Sequence, residues 1–223
     1  SGNRTFLPHA VGDGTRRTFF ITNTGMTSSL FEPNHELAAK FQNLDELMQV
    51  VRTVEMDTVR LDDIPELHQT DFLKLDVQGA EKMILDNAVE VLKNVLVIQT
   101  EVEFVSLYKD QPLFADVDRV LRDHGFMFHR LLGTAGRSIK PMYLKENINR
   151  PISQTLWGDA VYVKDFMALE SLSEERLLKY AVILHEAYRS LDLCHLLLAE
   201  YDRRTGADLS RRYLDLINER PAG

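Results

Sequence analysis

The chain has 223 residues, 44% hydrophobic and 27% charged, with a formal net charge of −8, enough to bury a core as one domain or as a domain with an appendage. That charge argues against sequence-independent binding to nucleic-acid backbones or anionic lipid, both of which need basic patches. The longest apolar runs, such as Val95–Ile98 and Leu196–Ala199, are far too short to span a bilayer, and the lone Cys194 excludes an internal disulfide. A reducing cytoplasm is therefore the simplest location.

In chain order, Arg4–Val11 reads as a short strand that Gly12-Asp13-Gly14 turns into a second run, Thr18–Thr22, a hairpin. Thr22–Ser29 is a polar loop. Pro33-Asn34 then opens a helical pattern through Leu37, Phe41, Leu44, Leu47 and Met48, and Val50–Leu61 returns to strand character. After the break at Asp62-Asp63-Ile64-Pro65, the apolar burst from Phe72 reads as a strand buried on both faces. It ends on Asp76, turns through Gly79 and enters a helix over Ala80–Leu92, with Met83, Ile84, Ala88, Val91 and Leu92 at helical spacing. Val95–Thr100 is a second buried run, closing on Glu101 and Glu103. Pro112 and Gly125 bracket a helix with Phe114, Val117, Val120 and Leu121 inward. Phe126–Leu132 and Ala160–Val163 supply two more strands, joined by a long irregular connection through Gly136–Lys140 and Lys145–Pro151. From Ser173, an N-cap residue, to Arg220 the pattern predicts three helices. The first carries the stripe Leu177, Leu178, Ala181, Val182, Leu184, Tyr188, and Gly206 marks a stop. These elements divide the chain into a main unit, 1–168, and a helical appendage, 169–223.

Asp76 is the leading candidate for chemistry, because open α/β sheets bind ligands along the carboxyl ends of their parallel strands, where helix amino termini converge. The plainer alternative is a helix-capping Asp76 and a solvent-facing Glu81. His124 and His129 read as capping or surface residues, and Ser28 and Ser29 have no histidine in a pattern that would activate them, which argues against a hydrolase.

Six segments then accumulate in order: Thr5–Asp13 (TFLPHAVGD), Thr27–Leu30 (TSSL), Val59–Ile64 (VRLDDI), Phe72–Glu81 (FLKLDVQGAE), Ile98–Glu103 (IQTEVE) and Leu156–Val161 (LWGDAV). Together they resemble the FkbM-type methyltransferases over about residues 5–165. The resemblance implies a class I methyltransferase, a Rossmann-like doubly wound α/β sheet. It also implies S-adenosylmethionine as methyl donor and, as acceptor, a hydroxyl of a sugar or secondary metabolite. By the family's layout, Val11 and Asp13 lie near the adenine, and Asp76, Val77 and Gln78 beside the methionine half of the donor. Asp76 and Glu101 are the catalytic candidates, with Glu101 as base or acceptor-hydroxyl ligand. Ser28, Ser29, Glu81, Tyr108 and Trp157 are candidates for the acceptor side, though Glu81 equally caps its own helix, and Tyr108 and Trp157 equally pack. Paired carboxylates also collect divalent cations, but no spacing singles out metal ligands.

The glycine-containing turn and the ribose-holding acid that open the family's sheet are not found in this sequence. The resemblance therefore implies a sheet lacking its first two strands and a chain incomplete for activity. In the class I order 3-2-1-4-5-7-6 those strands stand between the Arg4 and Asp76 strands, and a ladder cannot bridge a gap of about 9–10 Å. The expectation is an exposed or repaired edge beside Phe72–Leu75, with self-association through it. Two other readings stand beside this one: a non-catalytic binding or assembly module derived from the methyltransferase fold, and a doubly wound domain for a nucleotide-sugar or other ligand.

Overall fold

The computed structural model describes residues 4–142, 144 and 147–219. Arg220 and the Lys145 start of the second connecting stretch lie outside that range. Six strands, β1 (Arg16–Thr22), β2 (Val50–Asp57), β3 (Phe72–Leu75), β4 (Val97–Glu103), β5 (Phe126–Ala135) and β6 (Trp157–Lys164), form two sheets. The larger has the order β3-β4-β6-β5, in which β3 and β4 run parallel and β6 is antiparallel to both its neighbours. The smaller is the antiparallel pair β1-β2. The chain is thus a mixed α/β protein with a mixed sheet.

Side-chain alternation along β4 and β6 builds a core on each face of the large sheet. Ile98, Val102, Ala160 and Tyr162 pack with α2 (Glu81–Asp86), α3 (Val89–Asn94) and α4 (Phe114–Asp123). Val97, Val161 and Val163 pack with α5 (Glu174–Ile183) and α6 (Leu191–Thr205). The tail helices are therefore the second helical layer of a three-layer arrangement, with α7 (Leu209–Glu219) outermost against α6. Ser173 caps α5 by accepting from the Arg176 amide, and Gly206 ends α6 in the left-handed region at φ 73°. No helix among the described residues is long and apolar enough to cross a membrane.

The hairpin expected at the start does not form. Thr18–Thr22 extends to β1 and pairs with β2, while Val11 meets Val59 in an isolated parallel bridge. Arg4–Val11 carries Pro8, which has no backbone amide to donate to a ladder, whereas β1 and β2 contain no proline. The Gly12-Asp13-Gly14 turn instead docks on Thr58, so closely that a Cβ on Gly12 would lie 2.8 Å from it.

The helix expected over Ala80–Leu92 is broken. Asn87 leaves helical geometry and returns its side-chain amide to the Met83 carbonyl, and Asp62 starts α3 afresh by accepting from the Glu90 and Val91 amides at 3.0 and 2.9 Å. The Leu37–Met48 helix is likewise reduced to α1 (His35–Ala38) and a 3₁₀ turn at Asp45–Leu47, with Asn43 at φ 52° between them. Its apolar residues still reach a third cluster with Tyr108 and Leu156.

β3 is not enclosed on both faces. It is an edge strand with Phe72 37% exposed, so Asp76 follows a peripheral strand of this sheet. Of the two states expected for that edge, exposed or repaired, the structure has the exposed one: among the described strands β3 pairs only with β4. Beside it runs an apolar groove lined by Phe72, Leu178, Val182 and Ile183. Leu178 and Val182 therefore face outward from α5, and Tyr180 takes the inward place with Leu177, Ala181 and Leu184.

Candidate active site

At the carboxyl end of β3 the chain turns sharply through two left-handed residues, Gln78 at φ 55° and Gly79 at φ 98°. A non-glycine residue there is held by its surroundings. Here the Ser29 hydroxyl donates to the Gln78 carbonyl at 2.6 Å, and the Glu81 carboxylate accepts from the Val77 and Gly79 amides, each at 2.9 Å. Glu81 is 1% exposed, so the solvent-facing reading of that residue is overturned. A Cβ on Gly79 would sit 2.8 Å from Gln111 Nε2, so the Gln111 side chain would have to shift to admit one at this left-handed residue.

The turn aims Gln78 across the site. Its Nε2 donates to Glu101 at 2.6 Å and to Asp76 at 3.1 Å, and its Oε1 lies 3.2 Å from the Tyr108 hydroxyl. That hydroxyl also lies 3.0 Å from the Thr27 carbonyl.

Because strand side chains alternate, Glu101 and Glu103 project to the same side of β4 and meet Glu81. Carboxylate oxygens of the three lie within 4.8 Å of one another. Burial raises the Glu101 carboxyl to about 8, with Asp76, Glu81 and Asp159 adding repulsion. Burial also raises Glu103 to about 9, with Glu81 and Glu101 adding to it and the Gln111 amide opposing. Glu81 is raised as well, burial outweighing its backbone hydrogen bonds. Like charges this close hold protons unless a cation replaces them, so the trio is both a proton store and a possible set of oxygen ligands for a divalent ion.

Two cavities flank this cluster. The larger, about 690 Å³, is lined by Ala10, Val11, Phe19, Ser28, Met56, Asp76 and Val77 together with Met26, Gln78 and Glu101. The smaller, about 240 Å³, takes those last three as one wall, with Met48, Glu103, Leu107, Tyr108, Arg137 and Trp157 around the rest.

A model of the methyltransferase FkbM domain matches residues 2–128, more than half of the chain. The chain belongs to the FkbM methyltransferase family. No curated protein and no solved structure matches it. Membership associates this FkbM domain with methyl transfer and suggests S-adenosylmethionine as donor. The Leu156–Val161 segment lies beyond the matched range, yet β6 brings Trp157 opposite Glu103 in the ladder.

Of the positions the family layout assigns to the donor, Val11, Asp76, Val77 and Gln78 line the larger cavity of the FkbM domain. Asp13 does not: Thr15 and Arg17 surround its carboxylate, and the Arg17 guanidinium holds it far below the usual carboxylate range. Of the residues expected to meet an acceptor, Tyr108 and Trp157 share the smaller cavity, Ser28 lines the larger, and Ser29 and Glu81 brace the Gln78 turn. Sequence reasoning passed over Glu103, Gln111 and Arg137. The spacing of Glu103 two residues from Glu101 was a usable signal; for the two loop residues there was none.

Proposed function

We propose that this domain takes part in S-adenosylmethionine-dependent methyl transfer to a hydroxyl of a sugar or secondary metabolite. The donor would occupy the larger cavity and the acceptor the smaller. The observation that carries this reading is the shared wall: Met26, Gln78 and Glu101 border both cavities, so ligands in the two meet at one carboxyl. The strand order β3-β4-β6-β5 supports it, since it matches the order 4-5-7-6 that the resemblance implies.

The larger cavity suits a ligand of the donor's size, with Asp76 as the acidic group on its wall and Val11, Val77 and Gln78 as further contacts. S-adenosylmethionine supplies a methyl group on a positively charged sulfur. Glu101 receives the proton that the acceptor hydroxyl gives up. Its carboxyl, raised to about 8, is basic enough to take that proton near neutral pH once ionised. Gln78 Nε2 fixes the carboxyl's orientation, and Asp76 helps to keep its affinity for protons high.

Calorimetric titration with S-adenosylhomocysteine tests the reading. Saturable binding is expected, and Ala10→Trp, which fills the larger cavity from its rim, should abolish it while the protein stays folded. A flat titration of folded protein up to about millimolar ligand overturns donor binding by this chain. The open β3 edge supports one further proposal, self-association through strand addition.

A further inference from the structure

The smaller cavity holds a positive charge that no carboxylate among the described residues pairs with. Arg137 is half-buried, and its guanidinium lies 5.4 Å from the centre of the Trp157 ring. Nη1 donates to the neighbouring Gly136 carbonyl at 2.9 Å, and Nε, buried, has no hydrogen-bond acceptor among the described residues. No carboxylate among the described residues lies within ion-pair distance of it, although Glu101 and Glu103 border the same cavity. A guanidinium stays charged at any ordinary pH and offers a planar fork matched to two oxygens of an anion. Removing such a group from water without a counter-charge is costly, and burial does pull its pKa down.

We propose that Arg137 is the anion-recognition element of the acceptor subsite, and that the acceptor carries an oxyanion group, carboxylate or phosphate ester, in addition to the hydroxyl that Glu101 faces. The proposal rests on the assignment of the smaller cavity to the acceptor. It also sets a size. At about 240 Å³ the cavity falls below the roughly 300–1,000 Å³ of pockets for drug-sized molecules, which suits a single sugar ring rather than a macrocycle. Trp157, Met48 and Leu107 supply the apolar wall on which a ring face lies, and Arg137 and Glu101 border the same space with opposite chemistry.

Trp157 is the only tryptophan of the chain, so its emission reports on this subsite alone. The protein is titrated with glucuronate, glucose 6-phosphate and glucose while tryptophan fluorescence is followed. At least one anionic sugar should saturate at a concentration about 10-fold below glucose. Arg137→Gln should erase that preference, and Arg137→Lys should keep part of it. Comparing glucuronate with glucose 6-phosphate identifies which oxyanion the site takes. Equal responses to charged and neutral sugars, no response to any, or a preference that survives in R137Q overturns the proposal. If R137Q fails to fold, the preference must instead weaken in R137K and fall steeply with added salt; a preference unchanged by both is equally fatal. A parallel titration with S-adenosylhomocysteine separates the two readings: donor binding without anion preference sinks only the Arg137 inference, and anion preference without donor binding sinks only the methyl-transfer reading.

Discussion

At the scale of single residues, the three glutamates give the protein a pH dependence of defined sign. Their carboxyls bind protons more tightly in the folded chain than in the unfolded one, so the folded state holds more protons between the unfolded value near 4.5 and the folded values of about 8 and 9 for Glu101 and Glu103. Stability should fall as pH rises through that window, because the contribution is complete below it and lost above. Glu103→Gln, which keeps the shape and removes the ionisable group, should flatten the profile and stabilise the protein at pH 9.5 by on the order of 1–3 kcal/mol, measured by thermal melts from pH 5 to 9.5. An unchanged profile would mean that the carboxyls are solvated or hold a cation. If methyl transfer is assayed, Glu101→Gln should lower kcat by about 100-fold or more. Asp76 and Glu101 were legible in the sequence because each closes an apolar run, and strand ends are where ligands meet sheets. Arg137 was not, since a cation in an irregular loop has the same local signature whether it is solvated or turned into a cavity.

At the scale of elements, the buried strands and the tail helices were legible from periodicity, whereas partners and breaks were not. Nothing within Ala80–Leu92 announces that Asp62, far upstream, will cap a second helix there. Likewise β1 and β2 read correctly as strand material, but the choice of β2 over Arg4–Val11 as partner is a property of the pair, to which Pro8, lacking an amide to donate, was the local pointer. The inward face of α5 also depends on its partner. Tyr180, fully buried and donating to the Lys164 carbonyl at 2.7 Å, ties α5 to β6. Tyr180→Ala should cost about 3–5 kcal/mol in urea denaturation. On the outer side of the same helix, Val182 stands 60% exposed beside the open edge of β3. If association runs through that edge, Val182→Lys should shift the protein towards monomer in light scattering at rising concentration. A monomer before and after the change would remove the edge as a contact.

At the scale of the whole molecule, the sheet depends on helices from the middle of the described chain on one face and from its carboxyl-terminal part on the other. Among the described residues, Val97, Val161 and Val163 share their cluster chiefly with the tail helices, so a chain ending at Lys164 should lose its cooperative melt and bind a hydrophobic dye. Retention of a sharp transition would show that 169–223 is dispensable to the fold. Composition set the scale of this architecture but could not reveal that the tail is a layer of it, because an amphipathic stripe says that something is covered without saying what.

The missing side chain at position 79 has a genetic corollary. Gln111, from the loop before α4, occupies the space a methyl group would need, while the backbone there is left-handed at φ 98°. Two segments distant in sequence therefore share one residue's worth of volume. Gly79→Ala should be severely damaging, and a suppressor screen should return smaller residues at 111, which relieve the collision but leave the torsional penalty in place. Rescue would accordingly be partial, and its shortfall would measure how much of the requirement for glycine comes from conformation and how much from crowding.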